Sequence, residues 1–351
     1  MKKLFSILCI ISFLGLTTSC LKDLSNEPEI PPLQTSSKIL TYLESNGDYI
    51  NSGAAPAVIS TAEVYTNLGS YLLIDVRTDN EYSSGHIQNA VRVNPSELLN
   101  YITANKNLYP KIVIISQCGQ SSSFYTGLMR LAGFSNVYTM EYGMAYWNKE
   151  FSGVWEGQLK QRNVTLWDFN DHPKPPMSSL PDVQMSNDST DMHKFILERI
   201  NNILAKGFSE DTSFANQTIG TTLTAMLHND LTYEHYFIIC YGTPNYYYSK
   251  SGRIPGHLPN AVSYVVQSGV SELRSDKFLQ TLPKDGNIVI YDYNGITGAQ
   301  IAAYLNLLGY NAKSLLFGGN TLFYYSMERD TVFFNKYIFD TSQIHNYPFI
   351  Q

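Results

Sequence analysis

Two stretches of the chain share one pattern of apolar and polar positions. Residues 112–134, "IVIISQCGQSSSFYTGLMRLAGF", align without a gap on residues 288–310, "IVIYDYNGITGAQIAAYLNLLGY". Each opens with a short, wholly apolar run, which reads as a buried strand. A polar loop centred on Gly119 or Gly295 follows. Each copy then predicts a helix ended by Gly133 or Gly309 and an apolar residue, the pattern of a glycine C-cap. Both continue into a further apolar stretch, "SNVYTM" or "NAKSLLF".

The upstream halves correspond as well. "YLLIDVRTDNEYSSGHIQNAVRV" (71–93) parallels "YFIICYGTPNYYYSKSGRIPGHLPNAVSY" (236–264). Each is an apolar strand, a polar loop, a Gly-His pair and a second strand. Helical patterns such as "SELLNYI" and "VSELRSDKFLQTL" lie between the halves. This alternation predicts an α/β protein of two domains, each a parallel sheet flanked by helices on both faces. The domains are placed at 36–160 and 190–351, and the Pro-, Ser- and Asn-rich stretch 161–189 reads as a linker. At its end, Thr190 or Asp191 can cap a helix whose apolar stripe is Phe195, Ile196, Ile200, Ile203 and Leu204, stopped by Gly207. "SSKILTYLES" is its expected counterpart in the first domain.

The first residues read as a processing signal. Lys2 and Lys3 precede the apolar run "LFSILCIISFLGL", too short for an ordinary membrane span. The run ends in "LTTSC", and Cys20 stands where a bacterial lipoprotein signal places its lipidated cysteine. That resemblance implies a signal peptide over 1–19, a tether over 20–35, and anchoring in the cell envelope through palmitate-type chains on Cys20. Leu21 and Lys22 replace the Asp that often retains such proteins at an inner membrane, so the expected site is an outer membrane.

Composition narrows the chemistry further. The 351 residues are 44% hydrophobic and 15% charged, with a net charge of −6 and no basic block, so nucleic acid is not an expected partner. Cys118 and Cys240 are the thiols left after Cys9 and Cys20, one in each repeat, and no bridge between them is expected. The histidines form no HxxxH or HExxH pair, so neither a metal nor a cofactor is expected.

"IDVRTDNEYSSGHIQNA" (74–90) resembles the signature of the rhodanese family: Asp-Val-Arg, then Glu-Tyr, then Gly-His-Ile. With 112–134 the resemblance covers nearly all of the first domain. The second resembles the family less closely, through "GHLPNAV" and "LLGY…FGG", with Cys240 replacing the position of Asp75 and a longer loop after it. Together the copies resemble tandem sulfurtransferases. The resemblance implies a loop whose backbone N–H groups and following helix N-terminus cradle a cysteine thiolate, its persulfide and anionic donors. In this chain the loops are Ser116, Gln117, Cys118, Gly119, Gln120, Ser121 and Asp292, Tyr293, Asn294, Gly295, Ile296, Thr297. Counting back from Gly119 and Gly295, the nucleophile positions hold Ser116 and Asp292.

A persulfide needs sulfur, and an unassisted hydroxyl is a weak nucleophile at neutral pH. Ser116 is therefore expected to leave an uncharged cradle still open to an anion, and Ser116→Cys to confer sulfur transfer. Asp292 is expected to take the second loop's N–H groups itself, as an ionised carboxylate. Arg77 and Glu81 are read as braces of the loop, and His86 and His257 as structural hydrogen-bonding residues. Two functions stay open. One is a catalytically impaired, envelope-anchored module that binds a small sulfur-containing anion or an unidentified protein. The other is a sulfurtransferase using Cys118, displaced two residues from the nucleophile position.

Overall fold

The repeated apolar runs form the centres of two mainly parallel sheets. The computed structural model describes residues 34–160, 167–184, 191–210, 220–221, 236–248, 254–267 and 269–351. The predicted signal peptide and Cys20 lie outside the described residues. In chain order the first part holds α1 (Thr35–Ser45), β1 (Val58–Ile59), α2 (Thr61–Thr66), β2 (Leu72–Asp75), α3 (Asp79–Ser84), β3 (Val91–Arg92), α4 (Leu98–Asn105), β4 (Ile112–Ile115), α5 (Gln120–Leu131), β5 (Val137–Met140), α6 (Met144–Trp147) and α7 (Gly153–Glu156). Its strands order as β1-β5-β4-β2-β3 and are all parallel.

The second part begins with α8 (Met192–Lys206), then β6 (Gly220–Thr221), β7 (Tyr236–Gly242), α9 (Pro244–Tyr248), β8 (Val262–Gln267), β9 (Val270–Ser271), β10 (Asn287–Tyr291), α10 (Ile296–Leu307), β11 (Asn311–Leu315) and α11 (Gly319–Arg329). Its order is β6-β11-β10-β7-β8-β9. The edge strand β9 runs antiparallel to β8, a departure from the purely parallel sheet that the alternation predicts. The two strands are joined by a turn at Gly269, where φ is +77°, and so short a connection reverses the chain direction.

The central strands are apolar throughout because both faces are covered. Ile112 and Ile114 of β4 face one hydrophobic cluster and Val113 and Ile115 the other. Ile288 and Ile290 of β10 divide from Val289 and Tyr291 in the same way. The first cluster is common to both sheets. At its centre α5 packs on α10, where a Cβ on Gly127 would come within 3.2 Å of Ala303 and of the Gln300 backbone. The Ser123 hydroxyl donates to the Ile296 carbonyl at 2.8 Å, and the Gln300 amide donates to Ser123 at 3.0 Å. Residues 34–351 thus make one compact unit.

Two segments depart from the domain boundaries read in the sequence. The chain end, assigned to the second domain, returns to the first. Tyr347 N–H donates to the Trp147 carbonyl at 2.9 Å, the Trp147 indole donates to Pro348 at 2.9 Å, and His86 and Ile350 exchange backbone bonds of 2.8 Å. Trp147 and Phe151 present apolar surface beside the first sheet that Tyr347 and Phe349 cover. The described part of the linker, 167–184, is likewise packed rather than free: Trp167, Leu180 and Val183 are buried, and Asp168 pairs with His257. Among the described residues no helix is long and apolar enough to cross a membrane, and no group of three His, Cys, Asp or Glu could hold a metal.

Candidate functional site

Each repeat ends its central strand in a tight loop that opens into a long helix. Gly119 and Gly295 have φ of +81° and +82°, a left-handed conformation in which a side chain is strained. A Cβ on Gly119 would also meet the Tyr142 backbone at 2.9 Å. This turn points a row of backbone N–H groups at one spot, at the positive end of the helix dipole.

In the first loop that spot holds a carboxylate the sequence reading did not anticipate. Glu210 accepts from Cys118 N–H at 2.8 Å, Gln120 N–H at 2.7 Å and Ser121 N–H at 2.7 Å. The Ser116 hydroxyl also donates to it at 2.8 Å. Ser116 in turn accepts from Gly119 N–H at 3.0 Å and Ser122 N–H at 3.3 Å. The expectation of an uncharged, open cradle is therefore corrected. Burial raises the Glu210 pKa above the ordinary carboxylate value, while the bonds from Ser121, Cys118, Ser116 and Gln120 pull it back.

Local packing explains how Glu210 arrives there. Asp191 caps α8 by accepting from Lys194 N–H at 3.1 Å, and Gly207 ends the helix with φ of +71°. Phe208 is buried against Phe124, with ring centroids 5.2 Å apart, and its N–H donates to the Tyr125 hydroxyl at 3.0 Å. Two residues further on, Glu210 enters the loop. The acidic pair in "GFSED" was the available sequence signal, and nothing local connects it to a loop about ninety residues earlier in the chain.

The second loop achieves the same result with its own side chain. Asp292 accepts from Gly295 N–H at 2.7 Å and from Thr297 N–H at 2.9 Å. Gly298 also donates to it, and its lack of a Cβ leaves space that one would take at 3.1 Å from the carboxylate. Desolvation raises the Asp292 pKa to about 6, against the lowering effect of those N–H bonds. The donors favour the charged form, as expected, and burial outweighs them in the net shift. This loop's donors are consumed internally and do not form an open anion site.

The remaining loop residues hold the frame. Gln117 donates to the Phe151 carbonyl at 2.8 Å, and the Cys118 carbonyl accepts from the Trp155 indole at 3.1 Å. Gln120 accepts from Phe317 N–H at 2.7 Å, across the domain boundary. The Tyr293 hydroxyl meets Thr243, and Asn294 accepts from Ile296 N–H at 3.2 Å. Cys118 is fully buried, and burial pushes its thiol well above the ordinary value, with Glu210 and Glu81 adding to the rise. Cys240 is buried too, with a raised pKa, and both thiols are free. Neither has the electropositive, accessible setting of a reactive thiolate.

Arg77 lies over the Asp75 carboxylate, with bonds of 2.7 to 3.1 Å, and donates to the Gly85 carbonyl at 2.7 Å. Glu81 completes a capping box with Thr78. His86 faces the Tyr82 carbonyl at 3.0 Å, and His257 the Leu258 and Asn170 carbonyls at 3.0 Å. A cleft of about 730 Å³ opens above the first loop, bordered by Arg77, Arg92, Glu81 and Glu210.

The fold and loops define an α/β protein with two strand–loop–helix cradles. Residues 60–150 match the family model described as the rhodanese-like domain, and the chain carries such a domain there. A tRNA uridine(34) hydroxylase of Aster yellows witches'-broom phytoplasma (strain AYWB) is 33% identical over 96 residues, which are 25% of this chain and 31% of the relative. A thiosulfate sulfurtransferase of Pseudomonas entomophila (strain L48) is 27% identical over 82 residues, which are 23% of this chain and 74% of the relative. The chain thus spans about a third of the length of the hydroxylase it matches. Among solved structures, the thiosulfate sulfurtransferase of Pseudomonas aeruginosa is 16% identical, with 80% of this chain and 46% of that chain covered and a TM-score of 0.27.

Proposed function

We propose that this protein is a tandem rhodanese-like module that has lost persulfide chemistry and binds an anion or an acidic partner at its first loop, anchored to the envelope through Cys20. The observation that carries this reading is Glu210, whose carboxylate takes three loop N–H groups beside the Ser116 hydroxyl. A thiosulfate or persulfide sulfur would need that same spot, and the carboxylate both occupies it and repels an anion. The donor set is backbone, so it stays competent for any oxyanion or carboxylate that displaces Glu210.

Sulfur transfer through Cys118 is the weaker alternative. It would require a fully buried thiol with a raised pKa to reach a focus that its N–H, not its sulfur, now faces. Incubation with thiosulfate followed by intact-mass analysis tests the choice. The reading expects no added sulfur atom on the protein, and a sulfur adduct on Cys118 would overturn it. Anchoring is tested separately, because Cys20→Ala is expected to release the signal-cleaved protein from the membrane fraction.

A further inference from the structure

A cavity of about 520 Å³ lies at the carboxyl ends of β7, β8 and β10, against the start of α10. The chain passes from β7 to its neighbour β8, and β10 then adds on the other side of β7. Open α/β sheets bind ligands at such a reversal of strand order, outside the carboxyl ends of the strands. The volume is that of a small-molecule site.

Its surroundings disfavour both kinds of charge. Among the described residues that border it there is no Lys, Arg or His to compensate an anion. Strand register sets Asp75 opposite Ile115 and Cys240 opposite Tyr291, so Gly242 stands where the first cleft has Arg77. The Asp292 carboxylate at the floor repels an anion. Its two oxygens already accept from Gly295 N–H and Thr297 N–H, so it is not a free counter-ion for a cation either. Nor are the ring faces free: Tyr337 stacks on Tyr293 at 4.3 Å, and the Lys336 Nζ lies 4.8 Å from the Phe333 and Tyr337 centroids.

What stays open is apolar surface with two polar side chains near the mouth. Ile50 and Pro56 enter from the segment after α1, Val266 from β8 and Ile301 from α10. Ile50 and Ile301 are buried and Val266 is half-buried, so the lining runs from core to mouth. The Tyr49 hydroxyl holds the segment after α1 in place, donating to Gln300 at 2.5 Å and accepting from Ala57 N–H at 3.0 Å. The wall is therefore built before any ligand arrives. Thr297 is half-buried and Gln267 exposed, and among the described residues neither side chain has a hydrogen-bond partner.

We infer that this cavity binds a neutral, mainly apolar small molecule, with its body against Ile50, Pro56, Val266 and Ile301 and a hydroxyl or carbonyl at Thr297 and Gln267. The site is independent of the first loop, and it stands whether or not that loop transfers sulfur.

Calorimetric titration of the intact mature protein with 2-naphthol, 2-naphthoate and 2-naphthylmethylammonium tests it, since the three share one ring system and differ in charge. The naphthol is expected to bind at least about tenfold more tightly than either ion. Val266→Trp, which fills the cavity from a half-buried position, should weaken naphthol binding by about tenfold or more. Thr297→Val, which keeps the shape and removes the hydroxyl, should weaken it about fivefold and leave naphthalene binding unchanged. Near-ultraviolet circular dichroism establishes that each variant is folded, and if Val266→Trp is not, Thr297→Val decides. No naphthol binding by the wild type, equal binding of either ion, or wild-type affinity in a folded variant would overturn the inference.

Discussion

Replacing Glu210 with Ala removes the occupant of the first cradle and nothing from its frame. The carboxylate makes four hydrogen bonds, three of them from backbone N–H groups. Hydrogen bonds to a charged group contribute about 1.5–3 kcal/mol each, so the gross interaction is roughly 6–12 kcal/mol. Two effects offset most of it. The freed N–H groups border a water-accessible cleft of about 730 Å³, and the carboxylate no longer bears the desolvation that raises its pKa. The net loss should be about 2–3 kcal/mol, a fall in Tm of roughly 3–5 °C for a unit this large. The emptied cradle then becomes available. Sulfate at about a hundred times its Kd would restore about 2.7 kcal/mol to the variant. Calorimetric melting in chloride and in sulfate, with wild type at the same salt to remove general salting-out effects, reads both. A variant as stable as wild type, or one with the same sulfate response, would refute the role given to Glu210.

Further outcomes follow from the same geometry. Ser116→Cys alone should yield little sulfur transfer, because Glu210 stays against the new sulfur, whereas Ser116→Cys with Glu210→Ala should raise thiosulfate turnover on the order of tenfold or more. Asp292 gives a pH signature: its pKa rises from 3.8 to about 6 on folding, so the folded chain holds the proton more tightly. Its contribution is full below about pH 4 and lost as pH climbs through about 6, a fall of about 3 kcal/mol; denaturant melts across that range should show a steeper decline for wild type than for Asp292→Asn. Cys118 and Cys240 should react with iodoacetamide at least about a hundredfold more slowly in the native protein than in denaturant, as timed by mass spectrometry.

The repeat was readable because its physical requirements are local. A strand covered on both faces must be apolar at every position, as in "IVII" and "IVIY", and Gly119 and Gly295 mark a left-handed turn that other residues resist. The ungapped alignment also placed Ser116 and Asp292 at the loop foci. What remained hidden depends on contacts between distant residues. Glu210 is an ordinary acidic residue after a helix stop until packing of Phe208 on Phe124 delivers it to the loop. The final segment, "HNYPFI", carries no strand alternation that assigns it to the first sheet, since its place is set by contact with the Trp147 and Phe151 side chains.

The central claim is that a carboxylate, not a sulfur, holds the focus of each cradle. The most direct measurement is steady-state thiocyanate production from thiosulfate and cyanide by the mature wild-type protein beside Cys118→Ala. The account predicts that both give only the uncatalysed rate. Thiosulfate-dependent turnover by the wild type that Cys118→Ala abolishes would contradict it.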